Sequence, residues 1–250
     1  GDAHAQKNPL TFGTYVTLFP QLIAGPIVCY KDVESQLDQR DHSFDRFAAG
    51  IQRFVIGLSK KVLLANSIGK LWDVYLATPG TNLTTLGAWL GIIAFSFQIY
   101  FDFSGYSDMA IGLGRMFGFE FLENFNYPYV SRSATEFWRR WHISLGTWFR
   151  DYLYIPLGGN RVSRGRLVLN LLIVWAATGI WHGASWNFLL WGLFYFVLLV
   201  LEKFWFGRIL DKAPRWVGHV YALVLIMVGW AIFAVEDMGA LALYLKAMFG

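Results

Sequence analysis

Charge is what this sequence has least of. Asp, Glu, Lys and Arg make up 15% of its 250 residues, where a soluble domain carries about 25%. Cysteine is nearly absent. The lone Cys29 excludes an intrachain disulfide framework and any cysteine metal cluster, and reads as a small buried apolar side chain. No GxSxG elbow, HExxH pair or Walker lysine occurs. Nor is a histidine followed five residues on by aspartate: Thr147 stands there after His142, and Asn187 after His182. Internal repeats, low-complexity tracts and a secretory signal are also missing. The chain begins Gly-Asp-Ala and ends inside an apolar run at 243–249, so an internal fragment of a longer chain is expected.

What is abundant is apolar sequence in long runs, with 56% hydrophobic and 18% aromatic residues. Runs of about 20 apolar residues match the thickness of a bilayer core. Residues 83–101 carry no charge, and 216–235 are interrupted only by His219. Residues 167–201 hold no formal charge, ample for two short spans joined near His182–Gly183. Residues 10–30 are also uncharged, but Gly13, Pro20, Gly25 and Pro26 suggest a kinked or re-entrant segment. The expected fold is an all-α, polytopic integral membrane protein forming a single membrane domain over 1–250.

The formal net charge of +4 raises the question of nucleic acid, but the arginines flank apolar runs instead of forming a soluble face. Residues 131–166 hold seven arginines against Glu136 and Asp151, which places this connection on the cytoplasmic side. Residues 202–215, with four basic and two acidic side chains, favour the same side. Residues 47–76 mix Arg53, Lys60, Lys61 and Lys70 with apolar residues at helical spacing, which predicts an interfacial amphipathic helix. The TPGT at 78–81 is a turn signal before the first clean span.

The densest local signal is 133–154. Ser133 followed by Glu136 reads as a capping box. Trp138, Trp141, Leu145, Trp148 and Tyr152 then recur at three- and four-residue steps, predicting one interfacial helix with an aromatic stripe. Arg139, Arg140 and Arg150 lie off that stripe, placed to reach lipid phosphate or a polar ligand. A surface-lying helix without chemistry is the plainer alternative.

Two histidines are candidates for chemistry. His182, in TGIWHGASWNFLLWG, sits inside the longest uncharged stretch, where an ionisable group needs a function or a firm partner. Neutral histidine is also the usual general base. A structural histidine bonded within a helix bundle is the competing reading. Gly179 and Gly183 would let a substrate or a helix approach closely. His142, beside Trp141, is the second candidate. His219 reads as structural, and His4 and His42 as solvated. Asp102 and Asp108 are six residues apart and share no helical face, so no metal site is expected from them. The glycines at 105, 112, 114 and 118 follow no strand, which points to helix packing or a membrane turn instead of a nucleotide loop. A glycosylation sequon at Asn82 is a common chance match.

Taken together, QIYFDFSGYSDMAIGLGRMFGFEFLENFNYPYVSRSATEFWRRWHISLGTWFRDYLYIPLGGNR (98–161), WHGASWNFLLWG (181–192) and PQLIAGPIV (20–28) resemble the bacterial membrane-bound O-acyltransferase family. The closest branch is the one containing the alginate O-acetyltransferase membrane subunit. The resemblance covers roughly residues 10–205. It implies a helical core around a funnel or tunnel in the bacterial inner membrane, and acyl transfer from a thioester to a hydroxyl. The family's near-invariant histidine maps onto His182 and its second histidine onto His142. The resemblance further implies an acetyl donor such as acetyl-CoA, with no bound cofactor. It implies a periplasmic or extracellular partner that modifies a polysaccharide, and Arg139, Arg140 and Arg150 are expected to hold the donor's phosphates. Relatives that transfer D-alanine from a carrier-protein thioester keep the fold and change the donor. A transporter or export channel is the alternative from another class.

Overall fold

The computed structural model describes residues 6–21 and 25–250, so His4 and the middle of the 10–30 segment lie outside the described residues. The chain is helical, with no strand among the described residues. It divides into two compact units, residues 1–67 with 98–125, and residues 68–97 with 126–250. In chain order the helices are α1 (Pro9–Thr17), α2 (Tyr30–Asp38), α3 (Phe44–Ser59), α4 (Asn66–Ala77), α5 (Thr85–Met116), α6 (Ala134–Trp138), α7 (Ile143–Phe149), α8 (Arg164–His182), α9 (Trp186–Leu201), α10 (Gly207–Lys212), α11 (Arg215–Ala234) and α12 (Met238–Phe249). Among the described residues four helical stretches are long and apolar enough to cross a membrane: Thr85–Met116, Arg164–His182, Trp186–Lys212 and Arg215–Ala234.

In the first unit, Leu18, Val28, Val33, Leu37, Ile111, Phe119 and Phe121 form a buried cluster. Of the glycines flagged by the sequence, Gly105 and Gly112 serve helix packing, and Gly118 makes a turn at φ 82°. A Cβ on Gly57 would lie 2.5 Å from the Gly105 carbonyl oxygen, and one on Gly112 would lie 2.6 Å from that of Gly50. α3 and α5 therefore cross backbone to backbone. The helix expected over 47–76 is present, running without a break from α3 through a π-helical turn at Lys60–Ala65 into α4. At that turn Lys60 pairs with Asp108 at 2.6 Å and Lys61 pairs with Asp102, while Arg53 joins Asp108 to Glu123.

These pairs explain why the first span outruns its expected boundary at 101. Asp102 and Asp108 looked like the end of an apolar helix, but with each carboxylate neutralised by a lysine the helix continues to Met116. Burying Asp108 without those cations would be costly.

The second unit is built on aromatic packing. Phe137 stacks on Trp141 with ring centroids 5.5 Å apart, and Trp230 lies 4.8 Å from Trp141. α8 and α9 form a tight hairpin. Gly183 ends α8 at φ 157°, a backbone angle that side-chain-bearing residues rarely adopt, and a Cβ there would sit 2.7 Å from the Phe188 ring. A Cβ on Gly179 would meet the Phe188 carbonyl oxygen at 2.5 Å, so the glycine beside His182 admits a helix.

Candidate active site

The site begins with a helix that fails to continue. Ser133 caps α6 by accepting the Glu136 N–H at 3.0 Å. The reciprocal half of the expected capping box is absent, because the Glu136 carboxylate accepts the Arg132 N–H at 2.9 Å and the Arg140 guanidinium at 3.1 Å. Burial alone would raise the Glu136 pKa, but these donors hold it below the usual carboxylate value. Arg140 also donates to the Asn126 carbonyl at 3.1 Å, and the Asn126 N–H donates to the Arg140 carbonyl at 2.9 Å. That last bond takes up an oxygen a continuing helix would need, and the chain turns.

The turn is made by His142, at φ 46° and ψ 54°, before α7 starts. So the one helix expected over 133–154 is two pieces: α6, and α7 continued by a π-helical turn at Arg150–Tyr154. The aromatic stripe is divided accordingly. Trp141 and Leu145 are buried, and Trp148 and Tyr152 are exposed. A left-handed conformation is uncommon for residues other than glycine, and such strain clusters at functional sites.

His142 is 6% exposed. Burial, with His182 close enough to oppose a second positive charge, holds its pKa at about 3, so the ring is neutral at physiological pH. His182 is the last residue of α8, ringed by Trp181, Trp191, Phe233 and Phe188 at centroid distances of 4.9, 5.0, 5.2 and 6.3 Å. Trp181 also lies 6.1 Å from the His142 ring and bridges the pair.

His142 lines a cavity of about 940 Å³, at the upper end of the range for small-molecule sites. Trp138, Trp141 and Trp175 supply aromatic wall, Thr135 and Thr178 hydroxyls, Arg139, Arg150 and Lys203 positive charge, and Glu202 and Asp211 negative charge, with Arg150 also paired to Asp151 at 2.8 Å. Two π-helical turns contribute, Arg150–Tyr154 and Glu202–Phe206, and such turns recur at functional sites. Of the arginines singled out by sequence, Arg139 and Arg150 line this cavity. Arg140 does not, being committed to Glu136 and Asn126. His182 is not among the lining residues either and meets the site through Trp181 and His142.

Other candidates fall elsewhere. His219 bonds the Ser131 carbonyl through Nδ1 at 3.3 Å. Asn187 donates to the Phe233 carbonyl at 2.9 Å, tying the α8–α9 hairpin to the end of α11. Among the described residues no group of three or more His, Cys, Asp or Glu could hold a metal ion. Sequence reasoning missed Glu202, Lys203, Trp191 and Phe233. Glu202 carried a signal, as the first charge after a long uncharged run. The two aromatics carried none among so many rings.

Residues 5–235 match the model of MBOAT, the membrane-bound O-acyltransferase family. A protein of Azotobacter vinelandii named "Probable alginate O-acetylase AlgI" is 48% identical over 252 aligned positions, covering 100% of this chain and 50% of that protein. The "Peptidoglycan O-acetyltransferase" of Helicobacter pylori is 37% identical, over 96% of this chain and 47% of its own length. The "Teichoic acid D-alanyltransferase" of Streptococcus thermophilus is 29% identical, over 79% of this chain and 51% of its own length. The chain spans about half the length of these relatives.

Proposed function

Because this chain belongs to the membrane-bound O-acyltransferase family, we propose that its protein moves an acetyl group from a cytoplasmic thioester donor across the bacterial inner membrane to a hydroxyl acceptor. The acceptor is an exported polysaccharide of the alginate kind, reached with a periplasmic or extracellular partner. The observation that carries this reading is a cavity of thioester-donor size that brings His142 and two arginines together, with His182 close behind His142. His142 lines that cavity, and His182 is close enough to His142 to oppose a positive charge on it.

In this mechanism His182 takes the proton from the acceptor hydroxyl, and the oxygen attacks the thioester carbonyl carbon. The C–S bond breaks, and the departing sulfur recovers the proton from the imidazolium. His142, neutral, donates its ring N–H to the carbonyl oxygen as negative charge develops there. Arg139 and Arg150, joined by Lys203, hold the donor's phosphates, because guanidinium groups pair with phosphate in two-point geometry.

Acetyl-CoA is the favoured donor over a carrier-protein thioester, since the more similar relatives are named O-acetylases and the D-alanyl-transferring one stands at 29% identity. The test is acetyl transfer in membranes containing the full-length protein. His182→Ala should lower turnover by ~10²–10⁴-fold, the usual worth of a general base. Turnover near that of the parent would end the assignment.

A further inference from the structure

Glu202 is a carboxylate buried to 5% exposure, in a π-helical turn that continues α9. Its oxygens serve four donors from two other elements. Oε1 accepts the Ala134 N–H at 2.6 Å and the Tyr221 hydroxyl at 3.2 Å. Oε2 accepts the Thr135 N–H at 2.8 Å and the Thr135 hydroxyl at 2.6 Å. Tyr221 belongs to α11, whose far end supplies the Phe233 ring beside His182. Ala134 and Thr135 open α6, the short helix that ends at Trp138, four residues before the left-handed turn at His142.

A helix of five residues has little stability of its own. Its N-terminal N–H groups need an acceptor, and a negative charge there is favoured by the aligned peptide dipoles. Ser133 supplies one acceptor and Glu202 the rest. With every oxygen already engaged, Glu202 lines the cavity without a lone position to spare for a ligand.

We infer that Glu202 is a positioning residue for acyl transfer: by clamping the start of α6 to α9 and α11 it sets where His142 stands relative to the cavity and to His182. This rests on the acyltransferase reading for its consequence, but the clamp can be measured apart from it. Glu202→Gln keeps the shape and replaces one acceptor by an NH₂ group, which then faces a backbone N–H. Misplacement by about 1 Å of a group in a reacting site costs on the order of 10²-fold.

The expected result in membranes with the full-length protein is a loss of that size in kcat per folded molecule, with the donor KM near the parental value, whether or not the buried mismatch also lowers the melting temperature. A general loss of folding would instead lower melting and yield while kcat per folded molecule stayed parental, and that pattern overturns the proposal. The second readout is the rate at which diethyl pyrocarbonate modifies His142, followed by peptide mass spectrometry. The clamp predicts that this nearly inaccessible ring reacts severalfold faster in Glu202→Gln. An unchanged rate overturns the proposal whatever the activity. Faster modification in a protein whose parent transfers no acetyl group upholds the clamp and defeats the function. Should Glu202→Gln fail to accumulate, Thr135→Ala, which removes one of the four bonds, carries both readouts with the same signs.

Discussion

His142 combines two properties that local sequence rarely gives one residue, a buried ring and a left-handed backbone. Asparagine adopts that backbone more readily than most residues, so His142→Asn removes the imidazole while keeping the turn. The pH dependence of stability follows from burial. In the unfolded chain the ring takes up a proton near pH 6.5, and in the folded chain not until about pH 3. A depressed folded value means stability is fully present above pH 6.5 and is lost as pH falls towards 3, by about 2 kcal/mol between pH 6.5 and 5. The fall in melting temperature on going from pH 7 to 5 should therefore be smaller in His142→Asn than in the parent. An equal fall in both would show that the ring is not held neutral by the fold. At the neighbouring position, Arg140 and Arg139 are indistinguishable in WRRWH. Only the arrival of Asn126 from another stretch of chain decides which of them is consumed in holding the turn.

At the scale of elements, the α8–α9 hairpin sets the His182 surroundings, and small residues set the hairpin. Gly192 packs its α-carbon face against the Trp175 carbonyl and the Gly179 backbone. A methyl group there has no room between two backbones, so Gly192→Ala should destabilise by about 1–3 kcal/mol. This would be read as a lower melting temperature in detergent, and a parental value would mean the helices can part without cost. The existence of this hairpin was legible from 35 uncharged residues, enough for two short spans joined near His182–Gly183. The extent of α5 was not, because the cations that neutralise Asp102 and Asp108 come from residues 41 to 55 positions away. The 133–154 segment failed in the opposite sense. Its periodicity was real, but the helix it described is broken by a tertiary hydrogen bond.

For the whole molecule, the four apolar helices among the described residues and the family match make this a membrane protein. The orientation rests on the arginine excess of 131–166. With Cys29→Ser as background, a cysteine at the exposed Asn160 should react with an impermeant maleimide only when the cytoplasmic face is open. Labelling from the outside of intact cells would reverse the proposed orientation, and with it the side from which the thioester arrives. The orphan donors in the second unit, Trp138 Nε1, Trp191 Nε1 and the Tyr195 hydroxyl, lie in one aromatic cluster. Near-perpendicular ring pairs there, such as Trp138 against Tyr195 at 4.8 Å and 88°, are suited to N–H···π contacts.

By itself the sequence determined the membrane setting, the all-helical class and the family, and it singled out two histidines as candidates. Each of these is written in local composition or contiguous motif, and a bilayer leaves few ways to satisfy a long apolar run. Tertiary structure decided which of the clustered arginines faces the cavity, where the motif helix breaks, and that a glutamate counted only as loop charge holds that helix in place. Those outcomes depend on hydrogen-bond partners distant in the chain, and a buried polar group takes whichever partner the fold brings to it.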